Sequence, residues 1–137
     1  MGGTWEPRPT PEVTPESERY WRAASEGRLL VSECGDCGLV YHYPRARCPD
    51  CLSDAIEWVE AAGTGEIYAH STAPSVAGWP DEDLPLVVAY VELDEGPRLM
   101  TNVDADPEAV GVGTRVRVEF VDTDDPDVAV PVFVPDE

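Results

Sequence analysis

The sequence predicts a mainly β protein in which an N-terminal helix and a four-cysteine ribbon precede a Greek-key barrel of the OB type. Two C-x-x-C pairs, Cys34-Gly35-Asp36-Cys37 and Cys48-Pro49-Asp50-Cys51, are separated by ten residues, the spacing of a compact metal ribbon. Beyond residue 55 the chain reads as short β-patterned runs cut by Gly and Pro turns, with one helical turn before the penultimate strand. A length of 137 residues suits one compact domain plus a small appendage, against a prior of about 150 per domain. The expected divisions are a flexible arm over 1–14, the helix and a rubredoxin-like ribbon over 15–54, and the barrel over 55–137. A plain antiparallel sandwich is the alternative packing of the same strands.

The arm carries Pro7, Pro9, Pro11 and Pro15 with few apolar side chains, and Trp5 is its one large apolar group. Thr14 reads as an N-cap with Pro15 at the first helical position, which predicts a helix over 15–26 closed by Gly27. Its apolar face is Tyr20 and Ala24 with Trp21 and Ala23, for packing on the ribbon or for facing a partner. Residues 28–33 supply the first ribbon strand, and Leu39, Val40, Tyr41 and Tyr43 lie between the cysteine pairs. Gly63-Thr64-Gly65 is a turn leading into a strand over 66–72, with Ile67 and Ala69 on one face and Tyr68 and His70 on the other. Residues 86–93 are apolar on both faces, as for a strand wrapped into a barrel. A turn at 94–97 leads into a strand over 98–103, and Asp106-Pro107-Glu108 caps a single helical turn. Residues 114–121 alternate, with Val116, Val118 and Phe120 inward; after the acidic loop 122–127, residues 128–134 form the last strand.

Four thiolates at about 2.3 Å complete the tetrahedral sphere of Zn²⁺ and leave no position for substrate or activated water, so Cys34, Cys37, Cys48 and Cys51 point to a structural zinc site. Two disulfides would use the same four residues. The N-terminal stretch lacks the apolar core of a secretion signal, and a reducing cytosol favours metal. Spacing alone does not separate zinc from the iron of a rubredoxin-like electron carrier. His42 lies near the site, but four sulfurs already fill it. Gly38 suits the turn after Cys37, whereas Leu52 holds the corresponding place after Cys51 and makes a less favourable turn.

The chain has 28 acidic and 9 basic residues, a net charge of -19. Every basic residue is Arg. Such a composition points to a cytoplasm of high salt, with biased codon use in the genome as the alternative, and either way makes a poor general ligand for phosphate backbones. The longest apolar run, residues 86–91, is far short of the ~20 that span a bilayer. Catalytic signatures are absent: Gly63-x-Gly65 is too short for a dinucleotide fingerprint, and His70 and Ser71 point to opposite faces of a strand. The residues thus favour a binding or scaffolding protein. A nucleic-acid-binding ribbon and barrel is the competing class, and the electron carrier a third.

The order of motifs is more specific than the cysteines. Arg28-Leu29-Leu30 enters Cys34 to Gly38; Pro44-Arg45 precedes Cys48 to Cys51; Ile56-Glu57-Trp58, Gly63-Thr64-Gly65 and the run from Gly113 to Phe120 follow. From about residue 18 to 134 this order resembles the zinc-ribbon/OB-fold family once called domain-of-unknown-function thirty-five. Leu52 departs from it, because many members carry Gly there. The resemblance implies a non-catalytic partner of thiolase-like acyl-CoA enzymes (thiolases, condensing enzymes or aldolases), with a second acyl-CoA enzyme as a further partner. Ribbon and helix would dock on the enzyme, and the barrel would help form its CoA site. CoA phosphates need local Arg. Arg45, Arg47 and Arg98 are the candidates carried forward, with Arg115 and Arg117 behind them, and Trp79 in the loop 75–85 is the candidate exposed aromatic.

Overall fold

The structure is a computed structural model that describes residues 5, 6 and 8–136. Helix α1 runs over Glu18–Ser25, followed by strands β1 Leu29–Cys34, β2 Val40–Tyr41 and β3 Ile56–Ala61. The remaining strands are β4 Thr64–Ala73, β5 Leu86–Leu93, β6 Arg98–Val103, β7 Arg115–Asp122 and β8 Ala129–Pro135. One antiparallel sheet has the order β2-β1-β3; the other five strands close into a barrel of order β4-β5-β6-β8-β7. That order, with β6 and β8 meeting in parallel at Val103 and Phe133, is the Greek-key closure of an OB barrel. Closure rules out the sandwich.

The helix starts later than its cap signal. Thr14 and Ser17 form a turn instead, in which Ser17 N–H donates to the Thr14 carbonyl (3.0 Å) and Ser17 Oγ accepts from the Thr14 amide (3.0 Å). Ser17 takes the cap position with its hydroxyl already engaged. The C-terminal end closes as expected: Gly27 sits at φ 81°, its amide donates to the Ala24 carbonyl and the Arg28 amide to that of Ala23.

Tyr20, Trp21, Ala23 and Ala24 are all buried. The helix packs on β1 of the ribbon and on β7 and β8 of the barrel at once. Its aromatic face is therefore neither turned to a partner nor confined to its own ribbon. Tyr20 and Trp21 share one core with Leu29 and Val31 of the ribbon and with Ile67, Val91, Val116 and Phe133 of the barrel. Strand β3, expected within the barrel, instead pairs along its whole length with β1, from Leu29 opposite Ala61 to Cys34 opposite Ile56. The barrel itself begins at Thr64.

Within the barrel Val87, Ala89, Val91 and Leu93 are buried while Tyr90 is exposed, so β5 alternates more than its composition suggested. A bulge between Ile67 and Ala69 interrupts the alternation expected of β4. Ala69 pairs with exposed Tyr90 and His70 with buried Ala89, and directly opposed residues share a face. The helical turn over Pro107–Ala109 is capped by Asp106, which accepts from the Glu108 amide, and Val116 is buried with Val118 and Phe120 half-buried behind it.

The arm is not free where it is described. Trp5 is buried against Val130 and Val132, its amide donates to the Asp122 carbonyl at 2.7 Å, and its ring meets Trp79 edge-on at 5.4 Å. Pro7 and residues 1–4 lie outside the described residues.

Candidate metal centre and surrounding surface

The four sulfurs converge. Cys34 Sγ lies 3.6 Å from Cys51 Sγ and Cys37 Sγ 3.6 Å from Cys48 Sγ, and all four fall within 4.8 Å of one another. Zinc–sulfur bonds of 2.3 Å at tetrahedral angles set sulfur–sulfur distances of about 3.8 Å. A disulfide would require about 2.05 Å, and all four cysteines are free. The donor set thus fits a four-thiolate metal ion.

Two loops of the same design present the sulfurs. In the first, the amides of Cys37 and Asp36 donate to Cys34 Sγ, and in the second those of Cys51 and Asp50 donate to Cys48 Sγ. Amide donation, led by Cys37, brings the Cys34 thiol down to about 7, and donation led by Cys51 lowers the Cys48 thiol too. Those two sulfurs favour the thiolate that a metal ion requires, whereas hydrogen bonds with the neighbouring sulfurs and desolvation push the Cys37 and Cys51 thiols up.

Each loop ends on a left-handed residue: Gly38 at φ 80° donates to the Cys34 carbonyl, and Leu52 at φ 66° donates to the Cys48 carbonyl. Leu52 therefore takes a conformation that favours glycine, and its side chain stands out into solvent. A hydrogen bond from Ser53 Oγ to the Asp36 carboxylate ties the two loops together. A side chain at Gly35 would press on the Ala55 carbonyl, the acceptor of the Gly35 amide at 2.7 Å.

His42 is no ligand. Its ring lies tilted against Tyr20 at 5.3 Å and meets Tyr43 edge-on at 5.2 Å, and desolvation pushes its pKa down to about 4. Leu39 and Leu52, each following the last cysteine of its loop, and Tyr43 between the loops are all exposed, and together they are termed the crown of the ribbon.

The other candidate residues are dispersed. Arg45 and Arg47 are exposed in the ribbon before the second loop; the Arg45 carbonyl accepts from Tyr41 and the Arg47 guanidinium donates to the Leu52 carbonyl. Arg98 lies at the start of β6, its guanidinium 3.8 Å above the Tyr68 ring and 3.3 Å from Glu92. Arg115 pairs with Asp94 and Arg117 with Glu119.

Trp79 lines a cleft of about 1050 Å³ at the barrel end remote from the ribbon. Arg8 sits there over the Trp5 ring at 4.2 Å. Glu6, Glu82, Asp83, Asp104, Glu108 and Asp122 are among the carboxylates of its wall, so the cleft repels phosphates. The Trp5–Arg8–Trp79 cluster escaped sequence reasoning, since a contact between residues seventy or more apart leaves no local pattern.

The ribbon, residues 21–57, matches the model described as "ChsH2, rubredoxin-like zinc ribbon domain", and residues 58–121 match "ChsH2, C-terminal OB-fold domain". A DUF35 domain-containing scaffold protein of Methanocaldococcus jannaschii is 33% identical over 105 residues, covering 74% of either chain. The chain belongs to the DUF35 family. DUF35 resemblance extends to a probable enoyl-CoA hydratase alpha subunit of Thermomonospora curvata, 37% identical over 129 residues. This chain matches 93% of its own length but spans only 40% of that relative. Among solved structures, the chain is similar to one described as "Ltp2-ChsH2(DUF35) aldolase", with TM-score 0.79, 36% identity, and coverage of 91% of this chain and 98% of the other. Family members are thus named both as scaffolds and as subunits of acyl-CoA enzymes. Among the described residues no helix is long and apolar enough to cross a membrane.

Proposed function

We propose that this DUF35 chain is a non-catalytic, zinc-binding accessory subunit that docks through its ribbon on a thiolase-like acyl-CoA enzyme and helps form that enzyme's CoA site. The observation that carries the reading is a four-sulfur centre with no open position, crowned by exposed Leu39, Tyr43 and Leu52. A metal ion there supplies rigidity rather than Lewis acidity. Exposed apolar groups on an otherwise carboxylate-rich surface mark a surface meant to be covered.

The remaining geometry narrows the role of each residue. The helix fastens ribbon to barrel, so a docked ribbon transmits its position to the OB domain. Arg45 and Arg47 form no ion pair among the described residues and stand beside the crown, which makes them the groups to receive CoA phosphates at the interface. Trp79 and Arg98 take no part in this reading: the first lines an acidic cleft and the second is engaged by Tyr68 and Glu92. Leu52→Asp should abolish co-purification with a thiolase-like enzyme while leaving one zinc per chain. Undiminished association would refute ribbon docking. A Arg45→Ala, Arg47→Ala double variant should raise the KM of the assembled enzyme for its acyl-CoA substrate; an unchanged KM would remove the two arginines from the CoA site.

A further inference from the structure

We propose that the outer face of β4, β5 and β6 is a second protein-docking surface, centred on Tyr68, Tyr90 and Met100, for a partner that is net positive around an apolar centre. Tyr90 and Met100 are register partners across β5 and β6, and Ala69 pairs with Tyr90 on the other side. The bulge places exposed Tyr68 next to Ala69 on the adjoining strand, so three neighbouring strands each present one large exposed apolar side chain. Tyr68, Tyr90 and Met100 are 48%, 47% and 63% exposed in turn. Single exposed apolar residues need no explanation, but three on neighbouring strands of one face of so acidic a chain do.

The face has the composition and layout of an interface. Tyr, Met and Arg are the types enriched there, and Tyr and Arg carry a disproportionate share of binding energy. Arg98 lies 3.8 Å over the Tyr68 ring while paired with Glu92, which holds both side chains in place before any partner arrives. A row of charges, Arg115, Glu66, Glu92 and Arg98, crosses four strands in register and borders the apolar centre as a polar rim. The two best-formed cavities among the described residues, the cleft beside Trp79 and a shallow pocket along α1, lie away from these residues, and an open sheet face suits a protein surface.

Charge selects the occupant. Arg98 and Arg115 are already matched by Glu92 and Asp94, leaving the field at this face to the chain's net charge of -19. A second copy would bring the same charge and meet repulsion; a protein face with Arg or Lys around its apolar centre would be attracted. The proposal concerns barrel strands alone and does not depend on how the ribbon docks.

The test places a photo-crosslinking p-benzoylphenylalanine at Tyr90 in the full-length chain, and at Leu52 in a parallel sample, in native cytosol, and identifies the crosslinked peptides. The Tyr90 probe should crosslink to a peptide of a different protein from a surface rich in Arg or Lys. Adding Met100→Glu should cut that yield at least tenfold with the melting temperature unchanged. A crosslink only to a second copy, no crosslink, or a yield indifferent to Met100→Glu would overturn the proposal. A crosslink through Leu52 alone would leave ribbon docking standing and remove this second surface.

Discussion

Removing the metal should melt the cysteine loops and leave the barrel folded. Between residues 34 and 55 only Cys34, Tyr41, Pro44 and Cys48 are buried, and two of these belong to the four converging cysteines. Tyr41 is the single large apolar side chain buried in this stretch, and full burial of such a group contributes about 1.5–3 kcal/mol. A structural zinc ion contributes about 10–16 kcal/mol. The metal is thus several times the largest apolar contribution, and without it the loops have too little burial to offset their ordering. Strands β1 and β3 differ, because Leu29, Val31 and Ala61 belong to the core shared with α1 and the barrel. Hydrogen exchange before and after chelation reads the two parts separately. The amides of Gly35, Gly38, Cys48 and Leu52, each donating to a backbone carbonyl of the loops, should lose protection. Those of Val91 and Val116 should keep it. Protected loop amides in the metal-free chain, or loss of barrel protection in the same step, would refute the reasoning.

Leu52→Gly should stabilise the second loop by about 0.5–1 kcal/mol in chemical denaturation, since φ 66° strains Leu and not Gly; it should also weaken partner binding, and a destabilised variant would contradict this reading of the turn. His42, half-buried against Tyr20 and Tyr43 and held neutral by desolvation with a pKa of about 4, binds a proton on unfolding between that value and its ordinary 6.5. Stability should therefore fall as pH drops from 6.5 towards 4, by roughly 2–3 kcal/mol, and His42→Phe should flatten this limb relative to wild type; equal slopes would exclude His42 as the cause. Gly65→Ala should cost about 1–3 kcal/mol, because its methyl group would overlap the Glu92 carbonyl and crowd Leu93 Cα; an unchanged unfolding midpoint would show that the strands give way.

What could be read from the residues was what local pattern encodes. Cys-x-x-C loops, the glycine at the end of α1, the Asp106 cap and the alternation of residues 114–121 each depend on neighbours a few positions apart, and each appears in the structure. The start of α1 was displaced because Ser17 and Thr14 engage each other, a choice that helix propensity does not decide. The faces of β4 follow from a bulge that one strand alone cannot reveal. Pairing of β3 with β1 was missed because its apolar residues would serve equally in either sheet, and β1 as partner lies some thirty residues earlier. The four cysteines whose sulfurs converge were legible from their spacing. The scattered placement of Arg45, Arg47, Trp79 and Arg98 was not, since nothing in the sequence records which barrel end a loop reaches, and the acidity of the cleft beside Trp79 is assembled from several segments.

On the proposed function, the metal-braced ribbon binds an acyl-CoA enzyme that needs it for activity. The most direct measurement is the activity and mass of a co-expressed thiolase-like enzyme with the wild-type chain, with Leu52→Asp, and alone. A stable, active complex should form only with the wild-type chain, with a dissociated enzyme of much lower activity in the other two samples. A fully active enzyme that never associates with this chain would contradict it.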